Sequence, residues 1–237
     1  MSFKIDVVLC SYRRPYLVDQ LKAIRTQTLK DHLGKITVWR NDNQDDLLFH
    51  RMNVHWIKAK ENMGVWPRFI HACASSADYV AIFDDDAIPG PRWFENCVAC
   101  IKHQDGLYGT HGAIFSNPAD YYSFKGGIHG WKNPSPAPVE VDVIGHAWFF
   151  RPENARSYLE VPQLYPICGE DMNLSFAIQK AGLKSWIAPH PKNREYWGAA
   201  ISHNNDKKGI NVMKGTRPKF QEELARIRSL GWRLIND

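Results

Sequence analysis

Apolar blocks of strand length alternate with helix-spaced apolar positions through the first third of the chain. Ile5–Leu9 reads as a buried strand. Pro15 suits a helix's first turn, and Leu17, Leu21 and Ile24 follow at helical spacing. Ile36–Trp39 and Val54–Ile57 read as short strands, and the stretch after Pro67, with Phe69, Ile70 and Cys73, as a helix. Tyr79–Phe83 is another strand, running directly into Asp84, Asp85 and Asp86. This alternation predicts an α/β fold with a mostly parallel sheet and helices on both faces.

The pattern changes near Pro89, which divides one domain into two halves. A helix over about 91–102 leads into Gly-, Pro- and Tyr-rich sequence with short strands over 107–143. His146–Phe150 is strand-like, Gly169–Gly182 has helical periodicity with Gly182 as its stop, and Lys184–Ala188 reads as a last strand. The polar stretch 192–216 reads as a mobile loop, and Pro218–Leu230 as a closing amphipathic helix.

In open α/β sheets, ligands bind beyond the carboxyl ends of the strands. Here that rule selects Cys10–Arg13, Asp42, Asn62–Arg68 and Asp84–Asp86, four segments that can share one crevice. Three consecutive carboxylates after an apolar strand repel one another and resist burial. Mg²⁺ or Mn²⁺, which prefer oxygen ligands and often share them with substrate phosphates, remove that conflict. The plain alternative is a solvated acidic turn. Glu170-Asp171 opens a helix, where the dipole favours carboxylates even without a chemical role.

Composition narrows the ligand. The 237 residues are 44% hydrophobic and 12% aromatic, enough for a core. Nine Trp and nine Tyr exceed its needs and can line a pocket for sugar-like ligands. The net charge of +5 suits a diphosphate. With no polybasic run, nothing calls for nucleic acid. Five cysteines form no disulfide framework, and Cys97 and Cys100, in an apolar helical stretch, read as buried thiols. Neither a signal peptide nor a stretch of transmembrane length is apparent, so a cytoplasmic protein is expected, with peripheral membrane contact left open.

Five segments in register resemble GT-A glycosyltransferases, especially family 2. FDDDAIP resembles the DxD element, and VVLCSYRRP the opening strand and nucleotide-binding turn. VWRNDN is similar to the second strand with its base- or ribose-contacting acid, ENMGVWPRF to the segment beside the donor, and GEDMNLSF to the helix start carrying the catalytic base. The resemblance implies donor contacts from Cys10, Ser11, Tyr12, Arg13, Asp42, Asn62, Gly64 and Arg68. It puts Asp84 or Asp85 on the ribose and Asp86 on the metal, with Asp84 as a possible co-ligand. His203, in the late loop, is the implied further ligand ahead of His190 and His146, and Arg194, Lys207 and Lys208 flank the diphosphate.

Asp171 becomes the general base and Glu170 its support or an acceptor contact. Trp131, His146, Trp148 and the Tyr121-Tyr122 pair are acceptor candidates; Trp148 alternates with Phe149, so one faces the cleft and the other the core. By this resemblance residues 1–88 bind the nucleotide sugar, 89–191 bind the acceptor and carry catalysis, and 192–237 close the site. The implied activity is Mn²⁺- or Mg²⁺-dependent inverting transfer from a nucleoside-diphosphate sugar, UDP-linked by family habit, to a glycan or glycoconjugate hydroxyl. A sugar nucleotidyltransferase fits less well, because the turn CSYRRPY lacks the glycines of a signature loop. A non-catalytic carbohydrate or nucleotide binder of the same fold is the alternative from another class.

Overall fold

The computed structural model describes residues 3–12, 16–41, 52–130, 133–189, 198–200 and 215–237. The first strands form where the apolar blocks stand: β1 (Ile5–Ser11), β2 (Leu33–Arg40), β3 (His55–Lys58) and β4 (Tyr79–Phe83). These four are mutually parallel in the order β3-β2-β1-β4. After the short β5 (Ala87–Pro89) come β6 (Gly106–Phe115), β7 (Phe124–Gly130), β8 (Val139–Val141), β9 (Val143–Phe150) and β10 (Lys184–Ile187). Strand β9 pairs antiparallel with both β4 and β6, β10 lies parallel to β6 and antiparallel to β8, and β7 hangs on β6. The sheet is therefore parallel in its first half and mixed beyond β4.

Helices α1 (Leu17–Arg25) and α3 (Trp93–His103) cover one face, and α2 (Trp66–Cys73) and α4 (Glu170–Lys180) the other. Alternation along the strands sorts the core: Val7, Leu9, Ala81 and Phe83 join α1 and α3, whereas Val8, Val80 and Ile82 join α2 and α4. A third apolar cluster seats α5 (Arg217–Ser229) through Phe220, Leu224 and Ile227 against Phe115 and Met172. All five cysteines are free and buried.

Helix α2 includes Ile70 as expected, on its outer face and 46% exposed, while Trp66 takes up buried apolar space. Three expectations change. The 107–143 region contains the ten-residue β6, whose glycines admit neighbouring chains: a Cβ on Gly109 would meet the Ala147 carbonyl at 2.6 Å. Strand β10 is not the last, because β11 (Gly198–Ala200) pairs antiparallel with β5. Phe149 and Trp148 are both buried, one on each face of the central strand β9, because helices cover both sides there. No described helix is long and apolar enough to cross a membrane.

Candidate active site

Asp84, Asp85 and Asp86 form the turn between β4 and β5, at the carboxyl end of the parallel strands. The Ala87 N–H donates to the Asp84 carbonyl at 3.1 Å, and the Asp84 N–H donates to the His146 carbonyl at 2.9 Å, extending the β4–β9 ladder into the turn. Opposite Thr110 of β6, strand β9 places two residues, His146 and Ala147, where one would continue the register. This bulge gives His146 a φ of 65°, the one positive φ at a non-glycine among the described residues. A left-handed residue with a Cβ is strained, and bulges re-aim side chains beside functional sites.

The imidazole is aimed at the acid turn. Its Nδ1 lies 3.7 Å from Asp84 Oδ2 and 3.9 Å from Asp86 Oδ1. One ligand atom from each of Asp84, Asp86 and His146 lies within 4.8 Å of the other two, so the three can hold a divalent cation. Two carboxylates and one imidazole suit Mn²⁺ and accept Mg²⁺. Burial pulls the His146 pKa down, but the Asp86 hydrogen bond and the charges of Asp84 and Asp86 outweigh it and raise it. The ring of His111 packs 4.7 Å from that of His146. His146, named in the sequence both among the acceptor candidates and as a lesser metal candidate, stands beside the acids; the bulge that turns it is absent from the apolar pattern.

Arg68 connects this turn to a second pair of acids. It is 5% exposed, with its guanidinium 2.6 Å from Asp84 and 3.7 Å from Glu170. Rings lie beneath it, Phe69 at 5.1 Å and Trp148 at 5.5 Å. Arg68, expected beside the donor, is paired here with the carboxylates of both acid groups. Trp148, expected as an acceptor residue, is 1% exposed and belongs to that support.

Glu170 and Asp171 begin α4 after Gly169, whose φ of 92° requires glycine. A Cβ there would also strike the Glu223 side chain at 2.3 Å. Asn173 bonds both the Gly169 carbonyl and the fully buried Glu223, which pairs with Arg226, so α5 braces the start of α4. Desolvation lifts Asp171 to about 7, opposed by the Met172 N–H and aided by Asp84. Glu170 is pushed well above the carboxylate range by burial and by Asp171, with Arg68 pulling it back.

Gly64 sets the spacing between the acid turn and α4. With φ 78° it lies against Pro166, whose carbonyl would be 1.8 Å from an added Cβ. The Val65 N–H bonds that same carbonyl at 2.9 Å, and Trp66 Nε1 reaches the carbonyls of Tyr165 and Cys168. The start of α2, carrying Arg68, is thereby fixed to the approach to Glu170.

On the first strands, Cys10 is buried, with burial raising its thiol to about 11, and Ser11 is buried as well. Tyr12 is half-buried, and Asn62 turns its Oδ1 onto the Gly64 N–H at 2.9 Å. Asp85 sits at the tip of the acid turn, between the two metal-cluster aspartates. Asn41 was not singled out by the sequence. Its buried amide donates to the Gly64 carbonyl at 2.7 Å and accepts from Trp39 Nε1 and the Met63 N–H, joining β2 to the 62–64 loop. The available signal was a polar residue closing an apolar strand, directly before Asp42. Tyr121 stacks on Phe220 at 4.8 Å, close enough to Asp171 and Glu170 for their charges to help burial raise its phenol. Arg13, Asp42, Trp131, His190, Arg194, His203, Lys207 and Lys208 lie outside the described residues.

No protein-family model and no curated protein matches the chain. Among solved structures it is similar to that of GalNAc-T7 with UDP, GalNAc and Mn²⁺, with a TM-score of 0.62 and 14% identity. The match covers 97% of this chain and 49% of that one, so the chain spans about half the length of that relative. At this identity the likeness establishes the fold alone: a mixed central sheet between two helical layers, in the Rossmann-like GT-A arrangement.

Proposed function

We propose that the protein is a metal-dependent inverting glycosyltransferase that moves a sugar from a nucleoside-diphosphate donor to an acceptor hydroxyl. One observation carries this reading: the buried guanidinium of Arg68 lies 2.6 Å from Asp84 of the Asp84/Asp86/His146 cluster and 3.7 Å from Glu170 of the Glu170-Asp171 pair, bringing the two acid groups together. A bound Mn²⁺ or Mg²⁺ supplies Lewis-acid neutralisation of the departing diphosphate.

The chain's own residues divide the remaining work. Ser11, Tyr12 and the 62–64 loop lie at the carboxyl ends of the parallel strands, where the nucleoside would be received, and Asp85 is proposed to contact its ribose. Arg13 and Asp42 are proposed to extend that contact. Asp171, with a pKa of about 7, takes the acceptor's proton near neutral pH, where general-base assistance is worth roughly 10²–10⁴-fold. The acceptor oxygen forms its bond to the anomeric carbon as the bond to the phosphate oxygen breaks, and that electron pair leaves with the diphosphate. Attack opposite the leaving group inverts the centre. Tyr121, near Asp171, and Trp131 are proposed acceptor contacts.

Strand β11 runs antiparallel to β5, with Ala200 opposite Ala87, one residue beyond Asp86. His203 follows three residues later and is proposed as a further ligand. Incubation with UDP-sugars and Mn²⁺ tests the proposal through release of UDP. Asp86→Ala is expected to lose Mn²⁺-dependent donor binding, whereas Asp171→Asn keeps donor binding and loses transfer. Transfer at the wild-type rate by Asp171→Asn would remove the base from this scheme.

A further inference from the structure

Helix α1 buries Leu17, Leu21 and Ile24 against the sheet, and Gln20 lies within that apolar stripe, 1% exposed. A buried amide is unfavourable by roughly 1–3 kcal/mol unless its hydrogen bonds are made. Among the described residues, the Gln20 amide bonds neither its own helix nor a side chain. Its Nε2 donates to two main-chain carbonyls, Asp84 O at 2.5 Å and Ala87 O at 2.9 Å, which bracket Asp85 and Asp86.

The main chain of the acid turn is therefore held from both sides. The Asp84 N–H is fixed to the His146 carbonyl, and the Asp84 carbonyl accepts from both Gln20 and the Ala87 N–H. Three carboxylates on consecutive residues repel one another, and a flexible turn would relieve the repulsion by splaying them apart. Donors on the two bracketing carbonyls oppose that relaxation. We propose that Gln20 is a positioning residue that preorganises the Asp84–Asp86 turn for a divalent cation. The proposal rests on the metal reading of the Asp84/Asp86/His146 cluster and adds a residue on α1 that touches neither cation nor substrate. Residues that orient ligands in this way typically change metal affinity about 10–100-fold when replaced.

Gln27 supplies the matched control. It lies just past the other end of α1, is also 1% exposed, and bonds Gly90 O at 2.7 Å, Ala23 O at 3.2 Å and the Phe94 N–H at 3.2 Å, away from the acid turn. Gln20→Met and Gln27→Met each remove a buried amide while keeping length and apolar volume. Mn²⁺ binding to the full chain is read from loss of the free-ion electron paramagnetic resonance signal, and stability from melting in EDTA. Both variants are expected to melt lower than wild type. Gln20→Met alone should bind Mn²⁺ at least about tenfold more weakly.

Gln20→Glu, which presents acceptors to two acceptors, should also weaken Mn²⁺ binding. Wild-type Mn²⁺ affinity in Gln20→Met would overturn the proposal, as would an equal loss in Gln27→Met. Failure of both Gln20 variants to fold, while Gln27→Met folds, would overturn it too, by making Gln20 a general support. A wild-type chain that leaves the Mn²⁺ signal untouched would overturn the metal reading together with this one.

Discussion

Replacing Asp171 by Asn should make the protein more stable while disabling it. Desolvation lifts the Asp171 pKa from an ordinary 3.8 to about 7. Between those values the folded chain holds a proton that the unfolded chain has released, so stability falls as pH rises through the window. A tenfold change in proton affinity is worth about 1.4 kcal/mol, so the full displacement would amount to about 4 kcal/mol above pH 7. Asp171 is only half-buried and shares its field with Glu170, so about half of that, roughly 2 kcal/mol, is expected after screening. For a chain of this length that is about 4–8 °C in melting temperature. The Asn side chain retains an oxygen to accept the Met172 N–H, a bond of 2.7 Å in the parent. Thermal melts of both proteins at pH 8, 6 and 4 provide the assay. The gain should be largest at pH 8 and shrink to a small remainder at pH 4, where the folded carboxyl is protonated and the unfolded one is close to its own midpoint of 3.8. An Asn variant that melts below the parent at pH 8, or by a pH-independent margin, would refute the reasoning.

Saturating Mn²⁺ at about 100 times its dissociation constant should stabilise the parent by about 2.7 kcal/mol, or roughly 5–10 °C, reversibly with EDTA. Asp86→Ala and His146→Ala should each lose most of that gain in the same melting assay. Arg68→Met leaves Asp84 and Glu170 without their buried cation and should lower urea-unfolding stability by about 3 kcal/mol. It should also move the acid limb of the transfer rate to higher pH, because Arg68 holds both Glu170 and Asp171 down. Gly64→Ala forces a Cβ into the Pro166 carbonyl at φ 78° and should lose about 3 kcal/mol in urea melts, unless the 62–64 loop moves and weakens UDP binding instead.

Much of this fold was legible because its strands are buried on both faces. Val7 and Val8 pack into opposite clusters, so an unbroken apolar block could be read as a central strand. The acid triplet stood out because three adjacent carboxylates at the end of such a block repel one another unless a cation lies among them. What escaped depended on contacts distant in sequence. That neither Trp148 nor Phe149 faces a cleft could not follow from alternation, because helices cover both sheet faces there. His146 ranked only third among the candidate ligands because a one-residue bulge changes the facing of a strand, and nothing in VIGHAWFF marks where the extra residue falls. Gln20 was not singled out, because its partners lie 64 and 67 residues away in the chain.

The pairing of β4 with β9 bears on how the protein comes into being during translation. The strand that delivers the acid turn is complete at Phe83, yet its neighbour on one side, and the histidine that faces the turn, are made only with Val143–Phe150. A nascent chain that has reached the acids therefore exposes an unpaired apolar edge and half of the candidate cation cluster. Neither is finished until much of the polypeptide has left the ribosome, which makes that interval the one in which chaperone protection matters most.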